Sequence, residues 1–561
     1  MKTLPFKIGL GQINPTVGDF SGNTKKICDF IQQAESKKLD WVIFPELSIC
    51  GYPVWDLANK KSFIAAGLDS LRQITGFTKG KKVRVVVGFI DAAPAGRKNY
   101  NALAVIQNGK IIHKQYKTLL PTYDVFLEEI FFTPGKDHKV FSVDGIIFGT
   151  SICEDIWDDQ YAIKPVKILA RKGAKVLINI SASPYHKEAF VARRQVMQKK
   201  AQDYGIWIIY VNQVGGQDDL IFDGRSFVCD PHGKIRYQAE AFCEGLFEVS
   251  LKSPPSLRAN EVSEAISKLG LLRPSGTRND IIKDIYEAIL LGLKDYVQKN
   301  RFKKVVLGLS GGIDSALVAA FAADALGPEA VIGVAMPGPF SSPQSLRDAK
   351  ALAENLGIEF RTKSIVPAYE NFIRNVEKTG EKISVAMENL QARLRGIELM
   401  YISNDEGALL LTTGNKSELA MGYSTLYGDM CGGLSVIGDI YKTEVYRLCE
   451  YRNSISKVIP EETIKRPPTA ELRPNQKDQD SLPPYPDLDL ILSLYIEKNQ
   501  GYDEIIKAVK TQKILPETVK RVLSTVDRNE YKRRQLPPAL RITEKAWFGR
   551  RMPITNCFAN E

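Results

Sequence analysis

The sequence is poor in the residues that build disulfide frameworks and zinc sites. Its 561 residues include only eight cysteines and four histidines, and no two cysteines stand in a Cys-x-x-Cys pattern. Neither a disulfide scaffold nor a zinc site is therefore expected. A single thiol can still serve as a nucleophile.

Long apolar runs are also missing. The first ten residues, Met1 to Leu10, carry no long apolar stretch like that of a signal peptide. No later apolar run approaches the roughly 18 residues that a membrane span requires. We therefore expect a cytoplasmic protein with no membrane partner.

The positive charge is mild for the length of the chain. The net charge is +11, and Lys and Arg cluster at Lys79 to Arg84, Lys532 to Arg534 and Arg550 to Arg551. Solvated faces or subunit contacts explain most such clusters, and polyphosphate ligands would explain others. We expect a homo-oligomer with no nucleic-acid partner.

The length exceeds what one hydrophobic core usually supports, and the hydrophobic content of 44% is ordinary for a packed protein. Two large domains are therefore expected. Residues 252 to 277 are polar and contain Pro254, Pro255 and Pro274. We interpret this segment as a linker between a first domain, residues 1 to 251, and a second domain, residues 278 to 561.

A strand, a glycine turn and a helix follow one another early in the second domain. Val305 to Leu309 is apolar like a buried strand, and Ile313 to Leu326 has helical spacing with Gly327 as its C-terminal stop. Because Gly311 and Gly312 lack a Cβ, the N–H groups of the turn can approach an anion closely. The N-terminus of the helix adds about half a positive charge. The sequence therefore predicts a phosphate site at this turn.

The lysine of the kinase and GTPase loop is absent here, and Ile313, Asp314 and Ser315 stand in its place. Transfer of a γ-phosphoryl group is therefore disfavoured. The run Ser310 to Ser315, Ser-Gly-Gly-Ile-Asp-Ser, resembles the pyrophosphate loop of the ATP pyrophosphatase family. That resemblance implies adenylation of a carboxylate or carbonyl oxygen, followed by displacement of AMP. The alternative is a plain glycine turn in another α/β domain.

Short strands and helices recur through both domains. Strands near Ala330 to Ala335, Ile358 to Thr362 and Ala408 to Thr412 alternate with helices, which predicts a doubly wound sheet with its nucleotide at the C-terminal ends of the strands. In the first domain, Asn108-Gly109 and Pro231-His232-Gly233 are hairpin signals and predict a mixed sheet. Its predicted strands are Lys7 to Gln12, Trp41 to Phe44, Val83 to Phe89, Ala102 to Gln107, Ile146 to Ile152, Val176 to Ile180 and Ile206 to Val211.

Three predicted strand ends in the first domain carry the residues of a possible thiol site, namely Glu46, Lys117 and Cys153. Taken singly, each is ordinary, because charged residues at strand ends are usually solvated and cysteine is usually a small buried hydrophobe. Taken together, Lys117 would favour the Cys153 thiolate and Glu46 would move its proton.

The residues around these three positions, Pro45 to Pro53, Tyr116 to Pro121 and Cys153 to Trp157, resemble the nitrilase-type amidase family. The resemblance implies an αββα sandwich that hydrolyses glutamine. It implies Glu46 as general base, Lys117 as the charge-stabilising lysine and Cys153 as the nucleophile that forms a thioester, with Cys50 as the rival thiol. It further implies a second glutamate, Glu128, near the lysine, and glutamine binding by Tyr123 and Ser183.

Further motifs lie at or beyond the predicted strand ends of the second domain. Together with the amidase half they resemble the NAD synthetase family, in its glutamine-dependent two-domain form, over nearly the whole chain. The motifs are Asn389 to Arg393, Thr412 to Leu419, Tyr427 to Asp429, Asp439 to Thr443, Pro468 to Leu472 and Glu530 to Arg534.

This resemblance implies an α/β protein with a nitrilase-like αββα sandwich followed by a Rossmann-like ATP pyrophosphatase domain. ATP would adenylate deamido-NAD, and ammonia from glutamine would displace AMP to give NAD, with pyrophosphate as the other product. Mg²⁺, which prefers one or two carboxylates plus ATP oxygens, would bind Asp314 and Glu418, although either carboxylate read alone could be solvated. The implied ATP-binding residues are Gly308, Leu309, Ser310, Gly311, Gly312, Ile313, Asp314, Ser315, Thr413, Lys442 and Thr469, and the implied deamido-NAD-binding residues are Asn389, Glu418 and Lys532.

Three other functions stay open from the sequence. The first is a glutamine-dependent amidotransferase acting on a different adenylated acceptor. The second is a protein that modifies or binds tRNA through its basic surface, in which case RNA binding would be strongly salt-dependent. The third is a binding module with a decayed amidase half, against which the presence of Glu46, Lys117 and Cys153 argues.

Overall fold

The computed structural model describes residues 6–94, 96–250, 278–375 and 383–555. The chain divides into two compact units, Met1–Thr277 and Arg278–Glu561. The predicted linker, residues 252 to 277, lies outside the described residues, and its boundaries stay a prediction.

The described part of the first unit contains fourteen strands and five α-helices. The strands are β1 (Lys7–Gln12), β2 (Trp41–Ile43), β3 (Arg84–Asp91), β4 (Tyr100–Gln107), β5 (Lys110–Tyr116), β6 (Val140–Val143), β7 (Ile146–Ile152), β8 (Val176–Ser181), β9 (Trp207–Asn212), β10 (Val214–Gln217), β11 (Leu220–Asp223), β12 (Phe227–Cys229), β13 (Ile235–Gln238) and β14 (Gly245–Ser250). The helices are α1 (Phe20–Ser36), α2 (Lys61–Phe77), α3 (Glu128–Phe131), α4 (Pro165–Arg171) and α5 (Ala189–Tyr204).

Two six-stranded sheets form the centre of the first unit. Their orders are β14-β1-β2-β3-β4-β5 and β13-β12-β9-β8-β7-β6, with a separate pair formed by β10 and β11. Apolar side chains of both sheets, such as Trp41, Phe148 and Trp207, share one buried core. The outer face of the first sheet is covered by α1 and α2, and the outer face of the second by α4 and α5. The predicted αββα sandwich is confirmed.

Both hairpins predicted for the first unit are present. β4 pairs with β5 in antiparallel fashion, and Asn108 and Gly109 between them have φ of 46° and 76°. Two consecutive positive φ angles are what a tight hairpin turn requires, and Asn-Gly tolerates them best. The turn at Pro231-His232-Gly233 joins the antiparallel strands β12 and β13.

The sheet order brings two of the predicted strand ends to one edge. β3 pairs antiparallel with β4, and β4 pairs antiparallel with β5, so β5 runs in the same direction as β3 and its parallel neighbour β2. Glu46 follows β2 and Lys117 follows β5. The Glu46 loop lies directly on β3 at Gly88, where a Cβ would meet the backbone N of Leu47 at 2.3 Å. Only glycine allows this close approach.

The described part of the second unit contains five strands and many helices. The strands are β15 (Val305–Gly308), β16 (Val331–Ala335), β17 (Glu359–Thr362), β18 (Leu409–Thr412) and β19 (Leu434–Ser435). The helices are α6 (Arg278–Lys299), α7 (Ile313–Leu326), α8 (Pro343–Leu356), α9 (Val366–Arg374), α10 (Val385–Glu406), α11 (Lys416–Met421), α12 (Lys442–Ile455), α13 (Glu461–Lys465), α14 (Tyr485–Leu492), α15 (Tyr502–Ala508), α16 (Pro516–Arg528) and α17 (Glu530–Arg533).

The five strands form one parallel sheet in the order β17-β16-β15-β18-β19. Helix α10 packs on one face through residues such as Ile402, and α7 packs against β15, β16 and α6. The predicted doubly wound sheet is confirmed. Its strand order reverses between β15 and β18, and ligands of such sheets bind at the crevice that this reversal opens.

The C-terminal helices pack together rather than on the sheet alone. Leu488, Ile491, Val522 and Leu523 of α14 and α16 share a buried cluster with Met421 of α11. In the part of the chain that the structure describes, no helix combines the length and apolarity needed to cross a membrane.

A buried ion pair in the first unit gives a test of the fold. Arg193 on α5 donates from Nη2 to both carboxylate oxygens of Asp223 at 2.6 and 2.7 Å, and both side chains are buried. Replacing Asp223 with Ala leaves the buried Arg193 guanidinium without its carboxylate partner. We therefore expect the free energy of unfolding to fall by about 3–5 kcal/mol. Urea unfolding followed by tryptophan fluorescence measures this, because four of the five tryptophans, Trp41, Trp55, Trp157 and Trp207, belong to the first unit.

The matched control is Asp203→Ala, which breaks the exposed pair between Lys199 and Asp203 on the same helix. We expect its unfolding midpoint to stay at the wild-type value, because exposed pairs contribute little. Equal midpoints for the two variants would contradict the role given to the buried pair.

Candidate functional site

Three buried charges meet where β2 and β5 end. Lys117 Nζ donates to Oε1 of Glu46 at 2.8 Å and to Oε1 of Glu128 at 2.7 Å. The side chains of Lys117 and Glu46 are 0% exposed and that of Glu128 is 4% exposed. Burial opposes the charged ammonium, yet the two carboxylates hold the pKa of Lys117 well above its ordinary value. The lysine therefore stays a cation.

The backbone and neighbouring side chains fix both glutamates. Glu46 accepts from Asn101 Nδ2 at 2.7 Å and from the N–H of Ala182 at 2.9 Å. Glu128 accepts from the Tyr52 hydroxyl at 3.1 Å. Its second oxygen, Oε2, is buried and has no hydrogen-bond partner among the described residues. Burial raises the pKa of Glu128, against the effect of the nearby ammonium.

Cys153 stands at the turn that follows β7. It is 5% exposed and has φ of 44°, an uncommon conformation for a residue other than glycine. Burial raises the pKa of its thiol well above the ordinary value, the Glu46 carboxylate adds to the rise, and the Lys117 ammonium opposes it. The thiol is therefore protonated until a base takes the proton.

Cys50, the rival thiol, has a different environment. Its Sγ donates to the carbonyl oxygens of Leu47 and Gly51 at 3.6 and 3.5 Å, and burial raises its pKa far above the ordinary value. These contacts hold it as a structural side chain of its own loop. The geometry therefore favours Cys153 as the nucleophile.

Asp155 ties the lysine strand end to the cysteine turn. Its Oδ1 accepts from the N–H groups of Thr118 and Leu119, both at 2.9 Å. Its Oδ2 accepts from the N–H of Ile152 at 3.1 Å. Asp155 is 1% exposed, and burial raises its pKa to about 7 although these three N–H groups oppose the rise. One carboxylate thus sets the distance between two segments that meet only in the folded chain.

Glu154 directly follows Cys153 in the chain, and its carboxylate accepts hydrogen bonds from two tyrosines. Tyr123 donates its hydroxyl to Oε1 and Oε2 of Glu154 at 3.1 and 3.0 Å, and Tyr161 donates to Oε1 at 2.9 Å. Burial raises the pKa of Glu154, with the Lys117 ammonium opposing. Ser183 lies beyond β8, where its backbone N–H and carbonyl bond to the Asn212 amide at 2.8 and 3.2 Å.

A cavity of about 320 Å³ opens in the second unit, where the order of the parallel sheet reverses between β15 and β18. All eight residues from Gly308 to Ser315 line it, as do Thr413, Glu418, Lys442 and Thr469. Gly311 has φ of 79°, and a Cβ there would lie 2.2 Å from the carbonyl oxygen of Ser345. No other residue fits this turn without displacing backbone. The predicted phosphate turn therefore lies in a cavity of ligand size.

Three charged side chains on one wall of this cavity come from the first turns of three helices. Asp314 belongs to α7, Glu418 to α11 and Lys442 to α12. Lys442 Nζ contacts Oδ2 of Asp314, and it lies 3.4 Å from Oε1 of Glu418. Burial raises the pKa of Glu418 to about 8, with Lys442 opposing and Asp314 adding to the rise. Among these three groups, two carboxylates share one ammonium.

Two of the implied deamido-NAD residues lie beside the cavity rather than in its lining. Asn389 Oδ1 accepts from the hydroxyl of Thr425 at 2.8 Å, and Thr425 lines the cavity. Lys532 Nζ donates to the carbonyl oxygens of Gly422 and Ser424 at 2.7 and 2.9 Å. Burial lowers the pKa of Lys532. Both side chains hold the segment that forms one side of the cavity.

The Mg²⁺ that the family resemblance implies would bind at two carboxylates of the cavity. Asp314 and Glu418 present hard oxygen donors at the cavity. The described part of the chain has no group of three or more His, Cys, Asp or Glu side chains that could hold an ion alone. Two carboxylates suit an ion that takes its remaining ligands from water and a polyphosphate. The residues therefore fit a Mg²⁺ bound together with the nucleotide.

The sequence did not indicate several residues that the structure brings to these sites. Glu154 and Asp155 directly follow Cys153 at a strand end, and this position was the only sequence signal for them. Tyr161 reaches Glu154 from beyond the turn. Arg395, which lines the cavity and donates to the Met336 carbonyl at 3.0 Å, had no signal beyond its place near Asn389.

Comparisons with known proteins agree with this division into two sites. Residues 7–254 match the family model described as carbon-nitrogen hydrolase, and residues 285–537 match that described as NAD synthase. The glutamine-dependent NAD(+) synthetase of Aquifex aeolicus is 45% identical over 98% of this chain and 99% of its own length. That of Thermotoga maritima is 41% identical over 98% of this chain and 99% of its own.

A solved structure is similar over the same length. The glutamine-dependent NAD+ synthetase from Acinetobacter baumannii, in complex with adenosine diphosphate, is 38% identical. The match covers 99% of this chain and 100% of that chain, with a TM-score of 0.73.

The Asp155 contacts predict a change in thiol reactivity. Asp155→Ala removes the acceptor of three backbone N–H groups, so we expect the turn to open and water to reach Cys153. Because burial is the largest cause of the raised pKa of this thiol, alkylation by iodoacetamide at pH 8 should speed up by about tenfold, the effect of a fall of one pKa unit. Mass spectrometry of the Cys153 peptide measures the rate.

The matched control is Asp137→Ala, because the Asp137 side chain is 77% exposed. Its alkylation rate should equal that of the wild type. An unchanged rate in a folded Asp155→Ala protein would refute the positioning role.

Proposed function

The chain belongs to the glutamine-dependent NAD(+) synthetase family, and from this premise we propose how its residues divide the reaction. The enzyme is an ATP-dependent ligase that uses glutamine as the amide donor and forms NAD. We propose that glutamine is hydrolysed at Cys153 in the first unit, and that deamido-NAD is adenylated at the Gly308 to Ser315 turn in the second.

The buried lysine with its two glutamates, beside the Cys153 thiol, is the observation that carries the first assignment. Glu46 takes the thiol proton as Sγ attacks the carboxamide carbon of glutamine. The Lys117 ammonium stabilises the negative oxygen of the tetrahedral intermediate. The C–N bond then breaks, the nitrogen takes the proton back and leaves as ammonia, and a thioester remains. Water hydrolyses this thioester to glutamate and restores the thiol.

Tyr123, Glu154 and Ser183 are proposed to hold the amino-acid end of glutamine. Glu154 directly follows the proposed nucleophile Cys153 in the chain, and its carboxylate is oriented by the Tyr123 and Tyr161 hydroxyls. A carboxylate in this position is complementary to the α-ammonium group of the substrate. Such a contact would favour an amino acid over a simple amide.

The second half of the reaction is proposed for the 320 Å³ cavity. A carboxylate oxygen of deamido-NAD attacks the α-phosphorus of ATP, and pyrophosphate leaves. Ammonia then attacks the carbonyl carbon, and AMP leaves with the bonding electron pair. The turn Gly308 to Ser315 and the residues Thr413, Lys442 and Thr469 would hold ATP.

Asp314 and Glu418 are proposed as the residues that hold Mg²⁺, which neutralises phosphate charge when bound. Glu418, Asn389 and Lys532 would hold the dinucleotide. The contacts of Asn389 and Lys532 to the Gly422 to Thr425 segment support an indirect role, in which they shape the side of the cavity.

The domain limits, the oligomeric state and the location of the protein are also proposed from the sequence. We propose the domain limits 1 to 251 and 278 to 561 with a linker between them, self-association into a homo-oligomer, and a cytoplasmic location. The relatives named above carry the NAD synthetase name at 38–45% identity. The similarity to these synthetases disfavours two of the alternatives for this chain, namely an amidotransferase for a different adenylated acceptor and a protein that modifies or binds tRNA.

Replacing the nucleophile separates the two half-reactions. In Cys153→Ala we expect glutamine-dependent NAD formation to fall by about four to six orders of magnitude, as for other lost nucleophiles. Activity with added ammonium should persist and should rise with pH, because the attacking species is neutral ammonia. Steady-state NAD formation with each nitrogen source measures both.

Cys50→Ala is the matched control and should keep its glutamine-dependent activity. Retained glutamine-dependent activity in Cys153→Ala would indicate Cys50 as the nucleophile instead. Loss of ammonia-dependent activity in Cys153→Ala would contradict two separable sites.

A substitution at the nucleotide cavity should lower NAD formation equally with glutamine and with ammonia as the nitrogen source. Asp314→Ala should reduce NAD formation from glutamine or ammonia by roughly two to three orders of magnitude, a typical effect of losing one preorganised charge contact. Chromatography of nucleotide products measures this, and AMP rather than ADP should accompany NAD in the wild type.

Asp405, an exposed residue near the end of α10, supplies the control variant Asp405→Ala, which should match the wild type. Normal turnover in Asp314→Ala, or ADP as the product of the wild type, would overturn the assignment of the ATP site.

A further inference from the structure

Every carboxylate oxygen of Asp314 and Glu418 already accepts a hydrogen bond within the chain. Asn415 supplies two of the donors, its Nδ2 to Oδ1 of Asp314 at 3.0 Å and its N–H to Oε2 of Glu418 at 3.5 Å. Lys442 Nζ supplies the other two, to Oδ2 of Asp314 and, at 3.4 Å, to Oε1 of Glu418. The two proposed metal ligands are thus joined by one ammonium.

The ammonium is held in this position by the start of its own helix. The Lys442 side chain is 1% exposed, whereas those of Asp314 and Glu418 are 18% and 17% exposed. The N–H of Lys442 donates to Ser417 Oγ at 2.9 Å, and its Nζ lies 5.5 Å from the centre of the Tyr485 ring. The ammonium is therefore the most buried of these three charges, although all three side chains line the cavity.

We propose that Lys442 acts as an internal counter-ion that keeps a divalent cation off Asp314 and Glu418 until a nucleotide polyphosphate enters the cavity. This inference rests on the proposed function, which assigns ATP to Lys442 and Mg²⁺ to the two carboxylates. A divalent ion on the same oxygens would stand at contact distance from the ammonium, and the two cations repel each other.

A polyphosphate removes this conflict because it brings new oxygens for both cations. The Lys442 ammonium can then bind phosphate, and the carboxylates can share the divalent ion with the same ligand. Nucleotide and ion therefore favour each other's binding, and this coupling is reciprocal by thermodynamic necessity. The enzyme would hold its metal only as part of the nucleotide complex.

The test measures binding of Mn²⁺ by electron paramagnetic resonance to the full-length protein, without nucleotide and with α,β-methylene-ATP, which resists adenylation. The wild type without nucleotide should bind Mn²⁺ no more tightly than the double variant Asp314→Asn with Glu418→Gln. Addition of the analogue should create one site in the wild type that the double variant lacks.

Lys442→Met removes the ammonium and should bind one Mn²⁺ without nucleotide at least tenfold more tightly than the wild type. The matched control is Lys442→Arg, which keeps a cation at this position. Without nucleotide it should bind Mn²⁺ no more tightly than the wild type does. Lys442→Gln replaces the Met variant if that protein does not fold.

The outcomes separate this inference from the proposed function. Equal Mn²⁺ affinity of Lys442→Met and the wild type without nucleotide, together with an Asp314-dependent site in the presence of the analogue, would overturn the counter-ion role and leave the metal assignment intact. If neither protein binds Mn²⁺ at Asp314 and Glu418 under any condition, both the inference and the metal assignment fail.

Discussion

A lysine ammonium shared by two carboxylates is the interaction on which both sites of this protein depend. Lys117 joins Glu46 to Glu128, and Lys442 joins Asp314 to Glu418. Moving an ion out of water is costly unless an opposite charge meets it. Each lysine therefore fixes carboxylates from distant parts of the chain, with separations of 71 residues from Lys117 to Glu46 and 128 from Lys442 to Asp314.

The two arrangements differ in their access to solvent, and this difference suits their chemistry. Lys117, Glu46 and Glu128 are enclosed, which suits the proposed transfer of a proton between the thiol, the base and the substrate. Asp314 and Glu418 lie at the edge of a cavity, where an incoming polyanion can compete for the ammonium of Lys442. In the proposed function, the same charge pattern is thus permanent in one unit and exchangeable in the other.

Short polar side chains complete both sites through hydrogen bonds within the chain. Asp155 connects the strand end of Lys117 to the turn of Cys153, and Asn415 connects α11 to Asp314 on α7. Such contacts keep reactive groups in position before the ligand arrives, which is how a protein lowers the cost of ordering them.

The sequence alone determined the features that depend on a few neighbouring residues. The strand, glycine turn and helix at Gly311, the hairpin at Asn108-Gly109 and the alternation of strands and helices follow from periodicity and from the φ angles that glycine and asparagine tolerate. The family resemblance added Glu46, Lys117 and Cys153 because their local motifs are long. The tertiary structure alone decided that Asp155 links two loops and that Lys442 contacts both proposed metal ligands. These depend on burial and on contacts between distant segments, and sequence spacing does not encode either.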